Sequence, residues 1–290
     1  MSRTHQPETG WRVVRANGLD HAVLDDGEGP LVLLQHGFPD TAHTWDAVSP
    51  ALVEAGYRVV RPFGRGIAPS QQPEGDAFSA HDISQDLVDL IPALGEERAI
   101  LIGHDWGASA VWGAAHLAPE RISRLIPVAI PHPASVKPTL KTLWGVRHFA
   151  ANKLPGAERR FARNDFAKIR TMYERWSPGF DWPESEFESA KNAYSHPGCL
   201  RSALGYYRRL GRWPFRGGVS VPTLIIGGLT DGVATTVDFE RSKERVNAPC
   251  EVAMLPGGHF LHREHPEPFI AAVLDYLARP VDASKSPSTA

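Results

Sequence analysis

Short runs of consecutive apolar residues recur along the chain. Between them lie stretches in which apolar positions return every three or four residues. Runs of the first kind occupy 31–35, 57–61, 99–103, 125–130, 223–227 and 251–255. A run that is apolar throughout suits a strand covered on both faces, so these runs predict a mostly parallel sheet flanked by helices. Segments 12–16 and 21–24 predict an opening hairpin, completing eight strands. Helices are predicted over 44–55, over 79–94 with Ser79 or Asp82 near the cap, after residue 105, and over 266–278. The alternation of strand and helix is that of an α/β protein.

Between Pro131 and Trp213 the alternation stops. This stretch is rich in Arg, aromatic residues and helix formers, and Pro131-His132-Pro133 and Trp213-Pro214 punctuate its ends. The division it predicts is a core of residues 1–133 and 213–290 with a helical insertion at 134–212. The Ser/Pro/Ala-rich tail at 281–290 is expected to be disordered.

Composition narrows the class of partner. The chain has 290 residues, a formal net charge of −2 and no basic block, which argues against nucleic acid and anionic membranes. Two cysteines, Cys199 and Cys250, make no disulfide framework. The first thirty residues lack an apolar signal core and no long apolar stretch follows, so a cytoplasmic protein is expected, as a monomer or homodimer. No Cys/His cluster has metal-ligand spacing, and neither metal nor organic cofactor is expected.

The candidate chemistry begins at Gly103-His104-Asp105-Trp106-Gly107. An apolar strand, a glycine-flanked turn and a helix form the setting of the nucleophile elbow G-x-S-x-G, here with Asp105 in place of serine. A carboxylate attacks acyl carbon poorly but displaces a leaving group from saturated carbon, leaving an ester that water must cleave. Substrates therefore shift from esters toward epoxides or alkyl halides.

Three helpers are needed, and each has a candidate just past a strand, where ligands bind in open α/β sheets. His259, in Gly257-Gly258-His259-Phe260, is the candidate base that activates water. Asp231 is the candidate acid that orients it; Asp238, inside an apparent helix, is the weaker substitute. The backbone N–H groups of Trp106 and of Phe38, in His36-Gly37-Phe38-Pro39, are the candidate oxyanion hole. A lone Asp after a strand is usually a turn residue and a lone His usually structural. The order nucleophile, acid, histidine, each in its own post-strand loop, is what sets these apart. Activity is expected to fall on acidification near the ordinary imidazole value of about 6.5.

Together these motifs resemble the epoxide hydrolase branch of the α/β-hydrolase superfamily, close to the haloalkane dehalogenases, over nearly the whole chain. The resemblance implies an α/β-hydrolase fold in which the insertion is a helical cap. It also implies a cap tyrosine that protonates the departing epoxide oxygen. Tyr207 in Gly205-Tyr206-Tyr207-Arg208 matches that position, with Tyr206 as the fallback. The second such tyrosine falls at His148, before Leu154-Pro155-Gly156, a departure that still offers a ring N–H. Trp106, Phe38, Tyr206, Trp144 and Phe149 are the expected pocket residues for a small apolar epoxide.

Halide release needs only N–H donors, from Trp106 and from a cap tryptophan such as Trp144 or Trp176. Phe38 stands where dehalogenases similar to this chain carry Asn. Dehalogenation is the alternative activity, and a non-catalytic ligand-binding protein of the same fold the remote one. The loop at 61–67 lacks the family's usual acidic residue and is read as structural.

Overall fold

The computed structural model describes residues 10–137, 147–209, 211 and 213–280. Eight strands form one sheet: β1 (Arg12–Ala16), β2 (Leu19–Asp26), β3 (Leu31–Gln35), β4 (Arg58–Pro62), β5 (Ala99–His104), β6 (Ile122–Val128), β7 (Thr223–Gly228) and β8 (Cys250–Leu255). Their spatial order is β1-β2-β4-β3-β5-β6-β7-β8. β2 runs antiparallel to both β1 and β4, and every other pairing is parallel. Ala16 pairs with Leu19, so Asn17-Gly18 is a two-residue hairpin turn. Both of its residues have positive φ, which the Asn-Gly pair tolerates.

The continuous apolar runs are explained by side chains alternating between two layers. Leu31, Leu33, Leu101, Leu125 and Ile225 face the layer of α2 (Ala80–Ala93) and α3 (Trp106–Leu117). Val32, Leu34, Ile100, Ile102, Ile126 and Ile226 face Trp45, α1 (Ser49–Glu54) and the closing helix at 266–278. Both faces are dry, so neither carries the polar positions that mark a half-exposed strand.

The helix predicted over 44–55 and the strand predicted over 125–130 differ from expectation. The helix predicted over 44–55 is a single tight turn at Ala42–Trp45 followed by α1. Pro50 opens α1, and its missing N–H cannot continue a helix from upstream. β6 starts at Ile122, its pairing with β5 running on through a bulge past the polar Ser123 and Arg124, and stops at Val128, ahead of Ala129 with its φ of 63°. Ser79 caps α2 in a reciprocal box with Asp82, so both cap candidates take part.

Between β6 and β7 no strand occurs among the described residues. The helices of five or more residues there are α4 (Arg147–Lys153), α5 (Ala157–Phe161), α6 (Lys168–Trp176), α7 (Ser185–Ser195) and α8 (Cys199–Arg209). They share one apolar cluster, containing Phe161, Ile169, Trp176, Phe187, Leu204 and Tyr207. Phe38 and Phe260 from the sheet's loops join this cluster, which seats the insertion over the carboxyl ends of the strands. After β7 come α9 (Thr236–Ser242), α10 (Leu261–Glu264) and α11 (Pro266–Ala278). Trp144 and the tail at 281–290 lie outside the described residues.

Candidate active site

Asp105 joins β5 to α3 with φ 52° and ψ −118°. A non-glycine residue held there costs on the order of 1–3 kcal/mol, a strain typical of functional sites. The turn is tight enough that a Cβ on Gly107 would fall 2.2 Å from the Gln35 carbonyl oxygen, so only glycine fits. The strain aims the carboxylate out of the sheet's end.

Each oxygen of that carboxylate meets a different group. Oδ1 accepts the Phe38 N–H at 2.8 Å. Oδ2 lies 3.3 Å from Nε2 of His259. Nδ1 of His259 lies 3.0 Å from Oδ2 of Asp231, whose Oδ1 accepts the N–H groups of Val233 and Ala234 at 2.6 and 3.2 Å. Asp105, His259 and Asp231 thus stand in one buried hydrogen-bonded row. Trp106 opens α3, so its N–H has no acceptor within the helix. Asp238 serves elsewhere: its carboxylate caps α9 by accepting from the N–H and hydroxyl of Thr235.

His36 holds the Phe38 turn. Its Nδ1 donates to the Gly37 carbonyl and its Nε2 accepts the Gly64 N–H, both at 2.8 Å. The 61–67 loop is anchored in turn by a bidentate pair between Arg65 and Asp86.

Above the carboxylate sits Tyr207. Its ring meets those of Trp106, Phe38 and Phe149 edge-on or tilted, at 5.2, 5.3 and 5.2 Å. Its hydroxyl is buried and has no partner of good hydrogen-bond geometry among the described residues, although the side chains of Trp106 and Asn152 approach it as weak donors. Tyr206 differs: its hydroxyl donates to the Arg65 carbonyl at 3.0 Å. His148 is buried, its ring 5.6 Å from that of Tyr207 and 4.8 Å from that of Trp176. Trp176 stands 5.2 Å from His259, so ring contacts join His148 directly to Tyr207 and, through Trp176, to His259.

A cavity of about 560 Å³ reaches Asp105 and is walled by Trp106, Phe149, Tyr206, Ile130 and Val233. Phe38 does not line it. Its ring instead packs on Phe161 and Tyr194, and it borders a separate space of about 30 Å³.

Residues 30–266 match the family described as the alpha/beta hydrolase fold. Epoxide hydrolase A of Mycobacterium tuberculosis is 31% identical, over 92% of this chain and 96% of that protein. The chain belongs to the α/β-hydrolase superfamily, in its epoxide hydrolase branch. The structure of epoxide hydrolase A from Mycobacterium thermoresistibile superposes on this α/β-hydrolase with a TM-score of 0.77 at 27% identity, covering 92% of this chain and 97% of the other. A mutant epoxide hydrolase from Bacillus megaterium gives a TM-score of 0.83 at 22% identity, covering 92% and 100%, a likeness of fold.

The site's electrostatics in this α/β-hydrolase follow from its geometry. Burial works against an imidazolium at His259, but Asp231 and Asp105 on either side outweigh it and hold its pKa well above the ordinary value. Burial also works against the Asp105 carboxylate. The hydrogen bond and charge of His259 prevail and hold Asp105 below its ordinary value. Both shifts favour imidazolium and carboxylate in the resting pair and argue against a titration at the ordinary imidazole value. Burial and the charge of Asp105 raise the Tyr207 hydroxyl far above its usual range, so it stays protonated as a donor.

Sequence reasoning left His104 without a role. Its Nε2 donates to the His259 carbonyl at 2.9 Å. Burial and the neighbouring His259 bring its pKa down to about 3, so it stays neutral. Asp40 was also unassigned. It takes the Tyr173 hydroxyl at 3.0 Å and Arg263 at 2.8 Å, pinning α6 to the core. No local pattern signals a partner that distant in sequence. Among the described residues no cluster of three or more His, Cys, Asp or Glu side chains is arranged for a metal ion. Nor is any helix there long and apolar enough to cross a membrane.

Proposed function

We propose that this α/β-hydrolase opens an apolar epoxide to a vicinal diol through an ester on Asp105. The observation that carries the reading is the buried hydroxyl of Tyr207, which has no partner of good hydrogen-bond geometry among the described residues and feels the charge of a carboxylate whose Oδ1 is held by Phe38. The relatives named epoxide hydrolase support it. In this reading residues 134–212 are the cap over the core.

Oδ2 of Asp105 attacks the less hindered ring carbon, and the C–O bond breaks. Tyr207, assisted by His148, gives its proton to the departing alkoxide. Ester formation removes the charge of Asp105 and with it part of what held a proton on His259. His259 then yields its proton through solvent to the tyrosinate and becomes a base. It takes a proton from water, which attacks Cγ. The oxyanion develops on Oδ1, where the N–H groups of Phe38 and Trp106 stabilise it. Collapse expels the alkoxide, which takes the hydroxyl proton of the intermediate. The diol leaves behind the original pair of carboxylate and imidazolium, and one water oxygen stays on Asp105.

Incubation with styrene oxide and, separately, a bromoalkane tests this, with diol and halide assayed. Diol formation is expected; halide release without diol would overturn it. The second reading, halide displacement by the same Asp105, draws on one feature. The buried indole N–H of Trp176, beside His259, has no acceptor among the described residues.

A further inference from the structure

The segment Gly258-His259-Phe260 has each of its three N–H groups bonded, and to only three residues. Gly258 N–H donates to both carboxylate oxygens of Glu264, at 3.0 and 2.9 Å. His259 N–H donates to the Trp176 carbonyl at 3.0 Å. Phe260 N–H donates to the Ser177 hydroxyl oxygen at 3.1 Å, and that hydroxyl donates to Glu264 at 2.6 Å. The Trp176 carbonyl also accepts the N–H of Gly232, next to Asp231, at 3.0 Å. One carbonyl at the end of α6 therefore holds the loops of both the base and the acid. The approach is close: a Cβ on Gly258 would lie 2.4 Å from the Ser177 Cα. Ser177, Glu264 and His259 are all buried, with no competing water expected at these bonds.

We infer that Ser177 and Glu264 are positioning residues that mount His259 on the end of α6, making the helical insertion part of the machinery for ester hydrolysis. Neither touches the carboxylate of Asp105 or the hydroxyl of Tyr207. The mount therefore governs the step that uses His259 as a base and leaves the step that forms the ester. It also fixes α6 in place, since lifting this helix would release the backbone of His259 and of the Asp231 loop together.

The inference rests on the proposed ester mechanism, and the test separates the two. Single-turnover rates of ester formation and ester hydrolysis are measured by rapid quench and intact mass for wild type, Ser177→Ala, Glu264→Ala and Glu264→Gln. The mount predicts hydrolysis slowed by about ten- to a hundredfold, as for a catalytic group displaced by a fraction of an ångström, with ester formation nearly unchanged. Ester then accumulates in the steady state. Glu264→Gln, which keeps one acceptor oxygen for Gly258, recovers part of the rate lost in Glu264→Ala. Equal slowing of both steps, or no slowing of either, overturns the inference.

Should wild type form no ester, the functional reading falls, and a readout independent of turnover decides the mount. The downfield proton resonance of the His259–Asp231 hydrogen bond is expected to shift or broaden in Ser177→Ala. An unchanged resonance overturns the mount. Ser177→Ala, which removes a single oxygen, keeps the test available if the Glu264 variants do not fold.

Discussion

Nε2 of His259 lies 3.3 Å from Oδ2 of Asp105, and each of the two favours the charged form of the other. In the proposed mechanism nucleophile and base neutralise one another until substrate arrives. Alkylation of Asp105 would then cancel one partner, so that the first step readies the base for the second.

That relationship makes a prediction about the imidazole. In Asp105→Asn, His259 keeps Asp231 but loses the charge that faces its other nitrogen. Its pKa, followed by NMR, should fall relative to wild type; an unchanged value would show that Asp105 and His259 are not coupled. Turnover of the same variant should be abolished, measured as diol formed while intact mass shows the Asn unconverted.

The pH dependence follows with its sign. A raised His259 contributes stability that is full below its unfolded value of about 6.5 and is lost as pH rises through the folded value. A lowered Asp105 contributes stability present above about 3.9 and lost as pH falls through its folded value. The acid limb of kcat reports the ester state, where Asp105 carries no charge. It should lie below the pKa of His259 in the free enzyme, toward the ordinary imidazole value. A kcat limb that coincides with the free-enzyme titration would contradict this.

Tyr207→Phe and Tyr206→Phe should part company. Removing the hydroxyl of Tyr207, which has no partner of good hydrogen-bond geometry among the described residues, should leave thermal stability nearly unchanged. It should slow epoxide opening by roughly 10²–10⁴-fold, the usual worth of a general acid. Removing the Tyr206 hydroxyl, which bonds the Arg65 carbonyl, should cost stability of about 1 kcal/mol and little of the opening rate. Thermal melts and single-turnover opening rates decide it, and the reverse pattern would exchange the two roles.

Asp231→Asn leaves the size of the side chain but not the acceptor that fixes His259. By comparison with the same change in serine proteases, hydrolysis of the ester should drop by about 10⁴-fold, with ester formation spared. Rapid-quench rates that fall together would argue against Asp231 as the orienting acid.

Much of this was legible in the chain. The runs in β3, β5 and β7 are apolar throughout because both faces of those strands are covered, and Asp105 stands out because glycines flank it in a strand-to-helix turn. Other features were not readable, each for a physical reason. Tyr206 and Tyr207 are neighbours on α8, so they point about 100° apart, and only the position of the Arg65 carbonyl tells which hydroxyl is free. Trp176, Ser177 and Glu264 act through bonds to backbone N–H groups, and no residue pattern encodes a carbonyl's partner. Pro50 lies inside the helix predicted over 44–55, and its missing N–H splits that helix.

The central claim is that Asp105 becomes an ester which His259 helps water to cleave. His259→Gln keeps the nucleophile, Phe38 and Tyr207 in place while removing the base. Intact mass after incubation with a turned-over epoxide should show the protein heavier by the full mass of that epoxide, with the adduct on the peptide containing Asp105. Protein of unchanged mass, while wild type converts the same epoxide to diol, would contradict the account.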